Sequence, residues 1–122
     1  MIQAAAVLYS IIIVLVIIFQ CCLIGGAPWG KITQGGKHDG KLPISGRIVA
    51  LLSILLLLFM AGGILSAAQL PPDWPNWAGW SALAIQLVST VLNIITPSTV
   101  ERRLWAPVTI VLLGLASYVL IN

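Results

Sequence analysis

Residues 25–32 read GGAPWGKI, which fits the G-x-x-x-x-G-K part of a phosphate-binding loop. In such a loop, backbone N–H groups surround the phosphates, the lysine reaches the terminal phosphates, and a following Ser or Thr binds magnesium. Here Ile32 replaces that hydroxyl residue, and Pro28 removes one backbone donor. The segment also follows a long apolar run and not a strand. We therefore expect no nucleotide here, and we expect Gly25 and Gly26 to end a helix.

Four polar residues recur in the third apolar run at the spacing i, i+3, i+4 and i+7, which predicts that they share one helix face. They are Gln86, Ser89, Thr90 and Asn93. Amides and hydroxyls hydrogen-bond between helices in lipid, so this polar stripe is expected to hold helices together. The alternative is a stripe that lines a ligand site, with Gln20 and Ser53 as its candidate partners.

Ionisable residues are missing from the middle of every apolar run, and inside a membrane such residues are the usual carriers of function. His38 and Asp39 are adjacent in a glycine-rich loop, but a metal site needs three or four ligands. No nucleophile–base set is visible. We therefore expect a protein that is not an enzyme and that holds neither metal nor cofactor.

The composition is that of a membrane protein. Of 122 residues, 60% are hydrophobic and only 7% are charged. Four intervals lack charge altogether, and each holds one run of about 20 apolar residues, the length that crosses a bilayer core of ~30 Å. The sequence thus predicts one all-α domain over residues 1–122, a bundle of four transmembrane helices. The spans are placed near residues 2–24, 46–69, 77–96 and 106–121.

Helix ends and helix contacts leave further signals. Ser98 and Glu101 fit the S-x-x-E capping box, which predicts a helix start after Pro97. Residues 99–105 are then expected to form a short interfacial helix, with a kink or restart at Pro107.

Two pairs of small residues, with the members of each pair four positions apart, are typical of close contacts between helices. Such contacts could form within one chain or between two copies of it. These pairs are Gly62 with Ser66 and Gly63 with Ala67.

The basic residues orient the chain, because Lys and Arg favour cytoplasmic loops. All six flank the first and third connections, and none flanks the second: Lys31, Lys37, Lys41, Arg47, Arg102 and Arg103. Both termini are then expected outside. Tryptophans favour membrane interfaces and agree with this placement. Trp29 and Trp105 fall at the predicted cytoplasmic side, whereas Trp74, Trp77 and Trp80 fall at the outer one. Since the basic residues lie beside spans, nucleic acid is not expected as a partner.

Two segments carry a resemblance: GAPWGKITQGGKHDGKLPISGR (26–47) and NIITPSTVERRLWAP (93–107). Together they resemble a family of small, uncharacterised bacterial four-span membrane proteins. The residues that carry it are Gly26, Pro28, Trp29, Gly30, Leu42, Pro43, Arg47, Asn93, Ser98, Glu101, Arg102, Trp105 and Pro107. The resemblance implies a bacterial inner membrane and a four-span fold, and it adds no chemistry. The first-span carboxylate of the small multidrug-resistance transporters is absent.

These patterns predict a small, non-enzymatic membrane protein that binds membrane lipid or a partner protein through its cytoplasmic face. The candidate residues on that face are Trp29, Lys31, Arg47, Glu101, Arg102, Arg103 and Trp105. The alternative is a transporter or channel formed by oligomerisation around the polar stripe. A cavity that reaches Asn93 would favour the transporter, whereas a tightly packed bundle with a basic groove would favour the binder.

Overall fold

A computed structural model describes the whole chain, from Met1 to Asn122. It contains four α-helices and no strand: α1 (Ile2–Ile24), α2 (Ile44–Ala67), α3 (Asn76–Ile95) and α4 (Thr99–Ile121). Each helix is long and apolar enough to cross a membrane. The predicted fold is therefore confirmed: the chain is an all-α, four-helix, multi-pass membrane protein.

The four helices form a closed ring. Each packs against its neighbours in sequence, and α4 packs against α1. Consecutive helices run in opposite directions, which gives the bundle two distinct ends. The termini end carries Met1, Asn122 and the α2–α3 loop (68–75). The basic end carries the α1–α2 loop (25–43), called loop 1 below, and the α3–α4 loop (96–98). All six Lys and Arg side chains belong to loop 1 or to the first turns of α2 and α4.

Small side chains dominate the interior, as expected where close packing and not the hydrophobic effect holds helices together in lipid. Ala6, Ala82 and Ala116 are fully buried beside the larger Tyr9 and Ile64. Long aliphatic side chains, by contrast, point outward along all four helices.

The closest helix contact joins α2 and α3 near the termini end. A Cβ atom on Gly63 would lie 2.6 Å from the carbonyl oxygen of Ala78, and one on Gly79 would lie 3.0 Å from Ala67. Gly62 is covered by the indole of Trp74, and the backbone N–H of this tryptophan donates to the Ser66 hydroxyl at 2.9 Å. Both small-residue pairs are thus used inside this chain.

The glycines after α1 end the helix as predicted. Gly26 adopts a left-handed backbone with φ of 102°, and its N–H donates to the carbonyl of Leu23 at 3.1 Å. The N–H of Ala27 reaches back to the carbonyl of Cys22 at 3.0 Å. These two bonds form a Schellman motif, which favours glycine at its left-handed position.

The helix does not restart at Pro107, because α4 runs without interruption from Thr99 to Ile121 with Pro107 inside it. Of the two predicted alternatives, a kink or a restart, the restart is therefore wrong. Proline removes one backbone donor, here the partner of the Arg103 carbonyl. The hydroxyl of Thr109 lies 3.0 and 3.1 Å from the carbonyl oxygens of Trp105 and Ala106, so its single hydrogen adds one donor to this part of the helix. The fourth helix thus starts seven residues before the predicted span, whereas the other helices begin and end within two residues of theirs.

Candidate ligand cavity at the basic end

A cavity of about 650 Å³ lies in the basic half of the bundle. Its walls come from all four helices, from residues within 13–20, 53–60, 85–96 and 101–112, and loop 1 contributes residues between 33 and 37. Drug-sized ligands occupy pockets of about 300–1,000 Å³, so this cavity has room for a molecule of that size. Three of the four stripe residues of α3 line it, namely Gln86, Ser89 and Asn93.

Two members of the stripe are buried and bind other helices. Gln86 is 1% exposed, and its side-chain oxygen accepts a hydrogen bond from the Tyr9 hydroxyl of α1 at 2.8 Å. Thr90 is 3% exposed, and its hydroxyl lies 3.1 Å from the carbonyl oxygen of Thr109 in α4. The Gln86 amide nitrogen also lies 3.4 Å from that carbonyl. Gln86 and Thr90 therefore hydrogen-bond between helices, the role predicted for all four residues of the stripe.

The other two members face the cavity. The Asn93 amide donates only to the carbonyl of Ser89, one turn earlier in α3, at 2.8 Å. Neither the Asn93 side-chain oxygen nor the Ser89 hydroxyl makes a hydrogen bond within the protein, and both residues are partly exposed. Gln20 and Ser53 line the same cavity, but neither hydrogen-bonds to the stripe. The cavity therefore presents polar groups that are free to bind another molecule.

One end of the cavity is formed by Glu101, which is only 6% exposed. Its carboxylate accepts the Thr96 hydroxyl at 2.5 Å and the backbone N–H of Gly35 at 3.1 Å. The backbone N–H of Glu101 donates to the Ser98 hydroxyl at 3.2 Å, which is half of the predicted capping box. The carboxylate does not complete the box, since it turns to loop 1 and to Thr96.

Loop 1 closes over this end because it is bound to the start of α4. The Ser98 hydroxyl donates to the carbonyl of Lys31 at 2.9 Å, and the Trp105 indole N–H donates to the carbonyl of Ile32 at 2.7 Å. Gly36 packs against Ser98 so closely that a Cβ atom there would lie 2.8 Å from the serine Cβ. The two segments that the sequence singled out thus contact each other directly.

The residues predicted to form the binding face are mostly engaged within the protein. Trp29 stacks on Phe19 with ring centroids 5.6 Å apart, and Trp105 meets the same ring edge-on at 4.9 Å. Lys31 forms an exposed ion pair with Asp39 at 3.5 Å.

The arginines of that face also differ in their surroundings. Arg47 donates to the carbonyl of Leu42 at 3.1 Å, and Arg102 donates to the carbonyl of Thr96 at 3.1 Å. Arg103 is exposed and its side chain makes no hydrogen bond within the chain. Glu101 is buried and does not belong to the outer surface. The residues predicted to form one binding face therefore have different positions. Some hold loop 1 in place, Glu101 lines the cavity, and others are exposed cations.

Three residues of this region were not singled out from the sequence: Tyr9, Thr96 and Thr109. Tyr9 carries a detectable signal, because a tyrosine within an apolar run needs a hydrogen-bond partner for its hydroxyl once it is buried. Thr96 and Thr109 carry no such signal in the sequence. Threonine is common in membrane helices, and no local sequence pattern predicts the contacts that these two residues make.

Comparison with protein-family models, curated proteins and solved structures found no match to this chain. The resemblance to small bacterial four-span proteins therefore stays a prediction, and the proposed function depends on the cavity itself.

Proposed function

We propose that this chain is a non-enzymatic membrane protein that binds a lipid-like amphiphile in the cavity at its basic end. The supporting observation is the combination of apolar walls with polar groups that the protein does not pair, namely the Ser89 hydroxyl and the Asn93 oxygen. Apolar walls suit an alkyl chain, and a few convergent polar groups are typical of small-molecule sites.

Access from the membrane is supported by two leucines that line the cavity and are still exposed. Leu56 of α2 is 46% exposed and Leu92 of α3 is 57% exposed. Both lie at the cavity edge between these two helices. An amphiphile dissolved in the bilayer reaches the site through this edge without crossing water, which suits the lipid ligand predicted from the sequence.

Removal of the free polar groups tests the proposal. The double variant Ser89→Ala, Asn93→Leu should bind a single-chain lipid with an affinity at least about tenfold lower. The reason is that two neutral hydrogen bonds contribute about 1 kcal/mol each. Native mass spectrometry of protein purified with its own lipids measures retention. Ser81→Ala is the matched control, because Ser81 lies on α3 outside the cavity. Equal retention by the double variant and the control would overturn the proposed site.

The orientation is part of the proposal: the basic end faces the cytoplasm of a bacterial inner membrane, with both termini outside. Its support is the confinement of all six Lys and Arg side chains to that end. Single cysteines at Asp39 and at Asn122, in a chain without Cys21 and Cys22, report the two ends. Only the Asn122 position should react with an impermeant thiol reagent on intact cells. Reaction at Asp39 alone would reverse the orientation.

Transport is a second candidate, favoured by a cavity that reaches Asn93. The cavity lies within one chain, so neither a second copy nor a partner membrane protein is needed to form it. A transporter would move a fluorescent amphiphile between the leaflets of proteoliposomes, and the double variant would slow this movement. A protein that only binds would retain the amphiphile and leave its rate of movement at that of protein-free vesicles.

A further inference from the structure

We infer that the cavity selects amphiphiles with a positively charged head group, and that Glu101 is the residue that selects them. The inference rests on the proposed function, because it names the chemical class of the molecule bound at the same site. It starts from a carboxylate that is 6% exposed, lines the cavity and has no cationic partner in the protein.

The missing partner is informative because cations are abundant nearby. Six Lys and Arg side chains belong to the basic end, yet the one ion pair in the chain joins Lys31 to Asp39 at the surface. Arg102 follows Glu101 directly in sequence, but its guanidinium donates to the carbonyl of Thr96. Lys37 of loop 1 also lines the cavity, but it forms no ion pair with Glu101. The protein therefore leaves the charge of Glu101 without an opposite charge within salt-bridge distance.

Burial makes this charge a strong determinant of what the cavity accepts. Burying a carboxylate is costly unless hydrogen bonds and an opposite charge compensate it. The Thr96 hydroxyl and the Gly35 N–H supply two hydrogen bonds and no full charge. A cationic head group would supply the charge, whereas an anionic one would be repelled from the same place.

Aromatic rings near the carboxylate add to the same preference. Trp105 lies one helical turn after Glu101, and it lines the cavity together with Phe19, whose ring centroid is 4.9 Å away. Faces of aromatic rings attract cations, and tryptophan does so most strongly. The walls beyond them, formed by Val16, Leu57 and Val108, suit an alkyl chain. Carboxylate, rings and apolar wall together match a lipophilic ammonium ion.

Two probes of nearly equal shape separate charge from hydrophobicity: dodecyltrimethylammonium and dodecyldimethylamine N-oxide. The N-oxide carries no net charge at mildly alkaline pH. Equilibrium binding of each radiolabelled probe to the purified protein in maltoside micelles should show the ammonium ion bound about tenfold more tightly, as expected for a close, desolvated charge pair. This comparison uses the native chain and does not depend on the folding of a variant.

The matched variants are Glu101→Gln and Asp39→Asn, which raise the net charge equally. The amide oxygen that Glu101→Gln introduces can still accept the Gly35 N–H, so loop 1 should stay closed. Glu101→Gln should abolish the preference for the ammonium ion, and Asp39→Asn, at an exposed carboxylate, should leave it intact. Equal binding of both probes by the native chain, or an unchanged preference in Glu101→Gln, would overturn the inference and leave the proposed function standing. Failure of both probes to bind would instead contradict the proposed function.

Discussion

The two halves of the bundle are built from the same four helices but packed in opposite ways. Near the termini end, α2 and α3 touch through Gly63 and Gly79, and no space is left between them. Near the basic end, the same helices carry Leu57 and Ile85 at the wall of the cavity, to which loop 1 also contributes residues. Side-chain size at the interface thus sets how closely these membrane helices approach each other, and the cavity forms where small residues give way to larger ones.

The closely packed half should be the most sensitive to added volume. Gly63→Ala should destabilise the protein by about 2–3 kcal/mol, in the upper range for overpacking, because its Cβ atom would meet a backbone oxygen that cannot move freely. Unfolding in mixed micelles measures the change in free energy. Gly114→Ala is the control: a Cβ atom there meets nothing within 4 Å, so its effect should stay below about 1 kcal/mol. Similar losses in both variants would contradict the contrast between the halves.

The polar stripe should divide between stability and binding. Gln86→Leu should cost about 1–2 kcal/mol, near the maximum seen for hydrogen bonds between membrane helices, since it leaves the Tyr9 hydroxyl without a partner. Adding Tyr9→Phe should recover part of that loss, because no donor then stays unpaired. Asn93→Leu should cost less than about 0.6 kcal/mol, since its amide bonds only within α3. Equal costs at Gln86 and Asn93 would show that the stripe acts as one unit.

Loop 1 offers a smaller and more local test. Gly36 and Gly40 have similar backbones, with φ of 71° and 75°, so alanine strains both alike. Only Gly36 packs against Ser98, whereas Gly40 faces open space. Gly36→Ala should therefore release loop 1 from α4 and speed amide hydrogen exchange at Gly35. The free energy of local opening at that amide should fall by about 1 kcal/mol more than it does in Gly40→Ala. Equal exchange in the two variants would mean that the contact with Ser98 does not hold the loop.

Much of the fold could be predicted because apolar length and charge decide it. The intervals without charge locate the helices, and Gly26 marks the end of α1 because only glycine adopts its backbone readily. The site was less accessible to prediction. The spacing places Gln86, Ser89, Thr90 and Asn93 on one face, but the position of the Thr109 carbonyl in α4 decides which of them are buried.

Glu101 shows the same limit more sharply. The S-x-x-E pattern predicts a side chain that turns back to the helix start, and the serine half of that prediction is confirmed. The carboxylate binds Gly35, which is 66 residues away in sequence. Local patterns describe neighbours along the chain, so a contact of this range and the burial that follows from it were not predictable.

The proposed function requires that an amphiphile occupy the cavity in the basic half. Photolabelling with a dodecyl amphiphile that carries a diazirine in its chain tests this directly, followed by mass spectrometry of the labelled peptides. Adducts should form at cavity residues on separate helices, such as Ile13, Met60 and Val108, and should be lost when excess unlabelled amphiphile is added. Adducts confined to outward-facing residues such as Leu51 and Val111, and unchanged by the competitor, would show that the amphiphile does not occupy the cavity.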